Sequence, residues 1–250
     1  MPDEKTDNFK NDKISLLHAA AFYNSLESFC FLETKYQTER TENVLRKLST
    51  KSYFPLHYAC FSGAREIVAY ILDKDPEQAS LIPSNIDHHF LFYAVYGGDP
   101  VIMNELCSKG ADPDEIHNKK DDPIGKAISL CQIECLKVLL KYEKKSTNSG
   151  FETPAMLAAK NCHPDALKLL ITCEDDITYF SPSNQSVISS MFFYASGNIY
   201  KTVLINILRK YPGVRIEPPD GINTLCVCHW ICKIADKEVA LLMIETKDVD

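Results

Sequence analysis

Short apolar stretches alternate with polar turns along the chain, and they come in pairs. The first member of each pair recurs as ISLLHAAAFYNS from Ile14, YFPLHYACFSGA from Tyr53, HHFLFYAVYGGD from His88, DDPIGKAISLCQ from Asp121, ETPAMLAAKNCH from Glu152, VISSMFFYASGN from Val187 and INTLCVCHWICK from Ile222. Each runs from turn residues through an apolar pair to a small residue. In that frame the small position falls at Ala20, Ala59, Ala94, Ala127, Ala158, Phe193 and Cys228, a spacing mostly in the low-to-mid thirties. Self-similarity at such a period marks a stacked repeat. The second member follows as REIVAYIL from Arg65, VIMNELC from Val101, CLKVLLK from Cys135 and ALKLLI from Ala166. Ile67, Val68, Ile71 and Leu72 fall on one face of a helix. The pattern predicts a short helix, a tight turn, a longer helix and a loop in every repeat. Gly63, Gly98 and Gly197 fall at the helix-to-helix turn, where a positive φ costs glycine little, and Gly110 suits the end of a second helix.

One such helix pair cannot bury its apolar face alone, so each repeat must be covered by its neighbours. Alanine in the first helix lets two helices approach closely. Phe193 breaks that rule, and the sixth repeat is expected to pack differently. Residues 1–12 form a charged, solvated tail. The repeats are expected at about 13–35, 52–84, 87–117, 120–148, 151–182, 186–217 and 220–250, with a charged insertion over about 36–51 between the first two. Val239, Leu242 and Met243 of the last predicted helix, Lys237 to Glu245, suit a polar terminal cap poorly. The chain is therefore expected to continue past Asp250, or to be covered there by a partner.

Phe54-Pro55-Leu56-His57-Tyr58-Ala59 resembles the T-P-L-H-x-A signature of the ankyrin repeat, with Phe in place of Thr. Asp122-Pro123 and Thr153-Pro154 repeat its opening, Leu16-Leu17-His18-Ala19-Ala20 its core, and Lys109-Gly110-Ala111-Asp112 its close. The resemblance spans about residues 13 to 250. It implies an all-α, ankyrin-type helix-turn-helix solenoid of about seven repeats. The signature histidine is replaced at Phe92, Gly125, Met156, Met191 and Cys226, so the array is divergent. The resemblance further implies that His18 and His57 hydrogen-bond within their repeats. It also implies a protein-binding module without chemistry of its own, which holds partners on a concave face built from loop tips and first helices.

Two classes of residue would make that face. Those just before each helix-to-helix turn include Phe22, Tyr23, Phe61, Tyr96, Lys160 and Trp230; those at the loop tips include Tyr53 and His88. Aromatic side chains offer large contact area at low entropic cost and dominate interface hot spots. The same rings could instead fill gaps between neighbouring first helices, and the pattern leaves both readings open.

Composition narrows the classes of function. The chain of 250 residues is 45% hydrophobic and 24% charged, with a formal net charge of −7. A negative balance disfavours both nucleic acid, which recruits clustered cations, and anionic membrane surfaces. No apolar run approaches the roughly 18 residues of a membrane span. The start, MPDEKTDNFKNDK, lacks the apolar core of a secretory signal. Ten cysteines without an export signal point to a reducing, cytoplasmic setting and to buried free thiols.

No cofactor or metal is expected. Cys226-x-Cys228-His229-x-x-Cys232 carries zinc-ligand residue types, but it aligns with a first helix on which Cys226 points away from Cys228 and Cys232. Cys131 and Cys135 flank a turn near Gln132 and are expected to be buried. Asp73, Asp75 and Glu77 lack the spacing of a calcium loop and are expected on a solvated face. No phosphate-binding, zincin or nucleophile-elbow motif occurs. The chain is thus expected to be a non-enzymatic scaffold or adaptor. The alternative is the targeting region of a larger multidomain protein.

Overall fold

Asp122 and Thr153 each precede a proline, and each starts a helix. Asp122 accepts hydrogen bonds from the N–H groups of Ile124 (2.9 Å) and Gly125 (3.0 Å), and Thr153 Oγ1 accepts one from Met156 (3.2 Å). Proline in the first turn forfeits no helical hydrogen bond, so the pair is a strong start signal. In the computed structural model, residues 12–38, 43–81, 89–114, 122–142, 153–171, 177, 179, 181–183, 185–194, 199–211 and 237–245 are described. Among them every regular element is helical.

The chain divides into two compact units, Met1–Lys145 and Ser146–Asp250. The first holds four helix pairs: α1 (Leu16–Phe22) with α2 (Leu26–Thr38), α3 (Pro55–Ser62) with α4 (Arg65–Lys74), α5 (Phe90–Gly97) with α6 (Pro100–Ser108), and α7 (Pro123–Ser129) with α8 (Ile133–Tyr142). The second holds α9 (Pro154–Lys160) with α10 (Pro164–Leu170), α11 (Val187–Tyr194) with α12 (Lys201–Lys210), and α13 (Lys237–Glu245). First helices pack on first helices: α1 on α3, α3 on α5, α5 on α7 and, in the second unit, α9 on α11. Second helices form a parallel row, with α4 on α6 and α6 on α8.

Small residues set the spacing of the first-helix row. Ala21, Ala59, Ala94 and Ala127 are wholly buried. A Cβ on Gly97 would fall well inside van der Waals contact of the Cys60 carbonyl oxygen, so α5 lies almost directly on the backbone of α3.

The hairpin turns share one geometry. In four repeats an N–H two or three residues beyond the helix end reaches back to the small alanine: Ser25 to Ala20 (3.0 Å), Ala64 to Ala59 (2.9 Å), Gln132 to Ala127 (2.8 Å) and His163 to Ala158 (3.0 Å). This Schellman closure needs a left-handed residue just before it. Gly63 (φ 74°) and Gly98 (φ 68°) fill that slot as expected, but Asn24 (φ 52°), Cys131 (φ 56°) and Cys162 (φ 58°) fill it in the first, fourth and fifth repeats, and Gly197 lies outside the described residues. Cys131 is therefore exposed at a turn rather than buried.

Polar links tie neighbouring repeats together. His18 Nδ1 accepts from the Ser15 N–H (3.2 Å), which leaves Nε2 to donate to the Tyr53 carbonyl of the next repeat (3.0 Å). His57 Nδ1 accepts from the Phe54 N–H (3.0 Å) in the same way. Arg65 of α4 pairs with Asp99, which caps α6 by accepting from the Val101 N–H (2.9 Å).

Two expectations of solvation are corrected here. Asp12, assigned to the tail, accepts from Ser49 Oγ (2.6 Å), Thr50 Oγ1 (2.7 Å), the Lys51 N–H (2.9 Å) and the Tyr58 hydroxyl. Burial alone would raise its pKa, but these four bonds outweigh that and hold it below the ordinary carboxylate value. Asp75, expected on a solvated face, is buried. Arg46 of the inserted segment grips it with Nε (2.6 Å) and Nη2 (2.5 Å), and Asn43 and Gln78 donate to it as well. The charged insertion is thereby pinned to the end of α4 through the short 3-10 turn Val44–Arg46.

The sixth repeat also departs from expectation. Phe193, assigned to the small buried position, is 58% exposed, while Ile188, Ser190 and Met191 are buried. The helix starts at Val187, so the inward face falls about two residues earlier than the sequence frame placed it.

Two predictions follow from this geometry. A left-handed conformation costs an ordinary residue about 1–2 kcal/mol, partly offset by the greater unfolded-state freedom of glycine. Cys131→Gly is expected to raise the urea midpoint, by the equivalent of up to about 1 kcal/mol, and Cys131→Val to lower it. The second concerns His18. Burial lowers its pKa, more than the Tyr53 carbonyl and the Asp12 charge raise it. Below about pH 6.5 the unfolded histidine binds a proton that the folded one resists, so stability falls with pH until the folded pKa is passed. The window of Asp12 lies further into acid, since its folded pKa is depressed below 3.8. Unfolding free energies measured between about pH 7 and 5.5 should therefore fall more steeply for the native chain than for His18→Gln. Equal slopes would contradict the assignment.

Candidate protein-binding face

The last turns of the first helices place one aromatic ring per repeat in a row. Phe22 of α1 stacks on Phe61 of α3 with centroids 6.2 Å apart and planes 17° from parallel. Phe61 lies 5.9 Å from Tyr96 of α5 at 37°. Phe92 meets Tyr96 edge-on at 5.3 Å. Lys126 of α7 ends the row, with its ammonium 4.5 Å from the Tyr96 centroid and 5.8 Å from that of Phe92. Phe22, Phe61 and Tyr96 are half-buried: each ring packs on its neighbour and keeps part of its surface in solvent. Tyr23 flanks the row, in edge contact with Phe22 at 5.3 Å and 78% exposed.

A second aromatic layer lies wholly inside. Tyr53 is only 8% exposed, with its ring 5.4 Å from His57, 6.2 Å from Tyr58 and 5.5 Å from Tyr93. It does not stand at a loop tip. Its carbonyl receives the His18 bond and its N–H donates to Ser49 Oγ (3.1 Å), which turns the side chain into the core. The other loop-tip candidate, His88, and Trp230 lie outside the described residues.

The second unit repeats the cation-on-ring arrangement by itself. Lys160 ends α9, exposed, and its ammonium lies 5.6 Å from the Tyr194 ring of α11. Sequence reasoning singled out Lys160 but not Tyr194, nor Phe92 and Lys126 in the first unit. The missed signal lies in the charges. Helices α1, α3, α5, α7, α9 and α11 read LLHAAAF, PLHYACFS, FLFYAVYG, PIGKAIS, PAMLAAK and VISSMFFY, with two lysines and no carboxylate. Acidic residues sit instead in the second helices, as Glu27 and Glu33 in α2, Glu66 and Asp73 in α4, Glu105 in α6, Glu134 in α8 and Asp165 in α10.

Three of the described thiols are buried. Burial pushes the Cys107 thiol up to about 12 and Cys135 up to about 11, and it pushes Cys60 up as well. A raised pKa keeps a thiol protonated and inert. Among the described residues no group of three or more His, Cys, Asp or Glu side chains could hold a metal ion, and no helix is long and apolar enough to cross a membrane. The Cys226 cluster lies outside the described residues.

A family model described as ankyrin repeats in three copies matches residues 91–181. That segment carries ankyrin repeats. The ankyrin repeat and KH domain-containing protein mask-1 of Caenorhabditis elegans is 27% identical over 146 residues, which is 56% of this chain and 6% of that protein. The chain thus spans a small fraction of the curated relative it matches. Solved ankyrin domains share the fold. The human ASB11 ankyrin repeat domain superposes with a TM-score of 0.66 at 19% identity, over 93% of this chain and 98% of that one. The ankyrin repeat domain of Bcl-3, a member of the IkappaB protein family, gives 0.66 at 16% identity over 92% and 98%. An ankyrin repeat domain from Acinetobacter baumannii gives 0.62 at 19% identity over 76% and 97%. Ankyrin repeats generally mediate protein–protein interaction.

Proposed function

We propose that this ankyrin array is a non-enzymatic scaffold or adaptor that holds protein partners across its first helices in a reducing, cytoplasmic setting. The observation that carries the proposal is the half-buried ring row of Phe22, Phe61 and Tyr96, flanked by exposed Tyr23. Rings packed only against one another would be closed over by neighbouring side chains. These remain half-buried, and rigid neighbours hold them in place before a partner arrives, which lowers the ordering cost of binding. In the second unit, Lys160 over Tyr194 offers the same kind of contact.

A second reading is that the array is the targeting region of a larger multidomain protein. It is supported by the relative of which this chain spans 6%. The binding face serves both readings, and the open reading frame around the chain separates them.

The double variant Phe61→Ser, Tyr96→Ser tests the face. It is expected to keep its helical circular dichroism and to lose the proteins that the native chain captures from a lysate of its source cells, as read by mass spectrometry. A double variant that fails to fold would assign both rings to the core. A folded one that captures the same proteins would place the binding face elsewhere.

A further inference from the structure

We infer that the ring row in Met1–Lys145 takes an acidic peptide segment carrying apolar anchors, with a carboxylate meeting Lys126. The inference rests on the binding face proposed above and specifies its partner. Three observations support it. The first is the sorting of charge. In a chain with net charge −7, helices α1, α3, α5 and α7 contain no carboxylate, and Lys126 is their one formal charge at neutral pH. A random draw from this composition would favour acid over base, yet the row that bears the half-buried rings carries only a cation.

The second is where that cation sits. The ammonium of Lys126 lies 4.5 Å from the Tyr96 ring centroid. The face of an aromatic ring is the natural seat of an incoming ammonium or guanidinium. Here the protein's own lysine takes it, so a basic peptide would meet repulsion from Lys126. A carboxylate would meet attraction, and in a partly dry interface a charge pair of this kind steers association and fixes register.

The third is spacing. Successive rings stand 6.2 Å and 5.9 Å apart. Alternate side chains of an extended peptide rise about 6.6–6.8 Å, and residues four apart on a helix about 6 Å. Either conformation lays consecutive apolar anchors on consecutive rings and carries the next acidic residue towards Lys126.

Selection of phage-displayed random twelve-residue peptides on the full chain tests this, with the Phe61→Ser, Tyr96→Ser and Lys126→Glu variants as parallel targets. The expected outcome is enrichment of net-acidic peptides with two or more apolar residues on the native chain. A labelled winner should bind Lys126→Glu at least about tenfold more weakly, as a reversed charge demands. Lys126→Gln should fall between the two. Lys126 is only partly buried in α7, and a circular dichroism melt checks that each variant is folded. Enriched peptides that are neutral or basic, lost on the ring variant but indifferent to Lys126, would overturn the acidic assignment and leave the face standing. Enrichment unaffected by the ring variant, or no enrichment above background, would overturn both.

Discussion

Everything in this chain depends on short helices being covered by other short helices at close range. First helices of seven or eight residues are too short to persist alone in water. They exist because α3 lies against α1 on one side and α5 on the other, with Ala59 and Ala94 wholly buried and so close that Gly97 admits no Cβ. The Schellman turns serve the same end. They close on the small alanine itself, so the residue that sets helix spacing also ends the helix. His18, which is wholly buried, and Arg65 then join one repeat to the next through hydrogen bonds to the Tyr53 carbonyl and to Asp99.

The surface that we assign to partners is a consequence of that packing. When backbones come this close, the large side chains at the last turn of each first helix cannot enter the core and stack along its edge instead. Phe22, Phe61 and Tyr96 are held at a spacing set by the repeat, and Lys126 terminates them. The segregation of carboxylates onto the second helices leaves this row without negative charge in an acidic protein. A preorganised, apolar and locally cationic strip needs no catalytic group to be useful, and the buried, protonated thiols of Cys60, Cys107 and Cys135 offer none.

Local pattern made the helix pairs legible before any coordinates. The starts at Asp122-Pro123 and Thr153-Pro154, the turns at Gly63 and Gly98 and the helix Lys237–Glu245 all follow from capping chemistry and hydrophobic period. Three kinds of feature were not legible. Cys131 and Cys162 occupy left-handed slots that their side chains do not advertise, unlike Asn24, whose type favours that conformation; the demand comes from the hairpin, not from the residue. Asp12 and Asp75 looked solvated because their partners, Ser49, Thr50, Tyr58 and Arg46, lie tens of residues away. Phe193 was assigned to the wrong side of the surface because the frame slips by about two residues in the sixth repeat, whereas Tyr53 is in frame and is turned inward by bonds to Ser49 and His18 from distant sequence. The candidate site shows the same division. The aromatic positions could be counted off the repeat, but the seating of Lys126 on Tyr96 depends on two helices meeting.

Residue-resolved native-state hydrogen exchange on the full chain tests mutual cover most directly. Helix α2 is the longest at thirteen residues but buries only Phe29 and Glu33, and α1 has exposed Leu16 beside it. Packing between first helices predicts that the amides of α3 and α5, each with a neighbour on both sides, exchange most slowly in the first unit. Helix α1 should be faster than both, and α2 should not be protected in proportion to its length. Protection that instead follows helix length, with α2 slowest, would contradict the account.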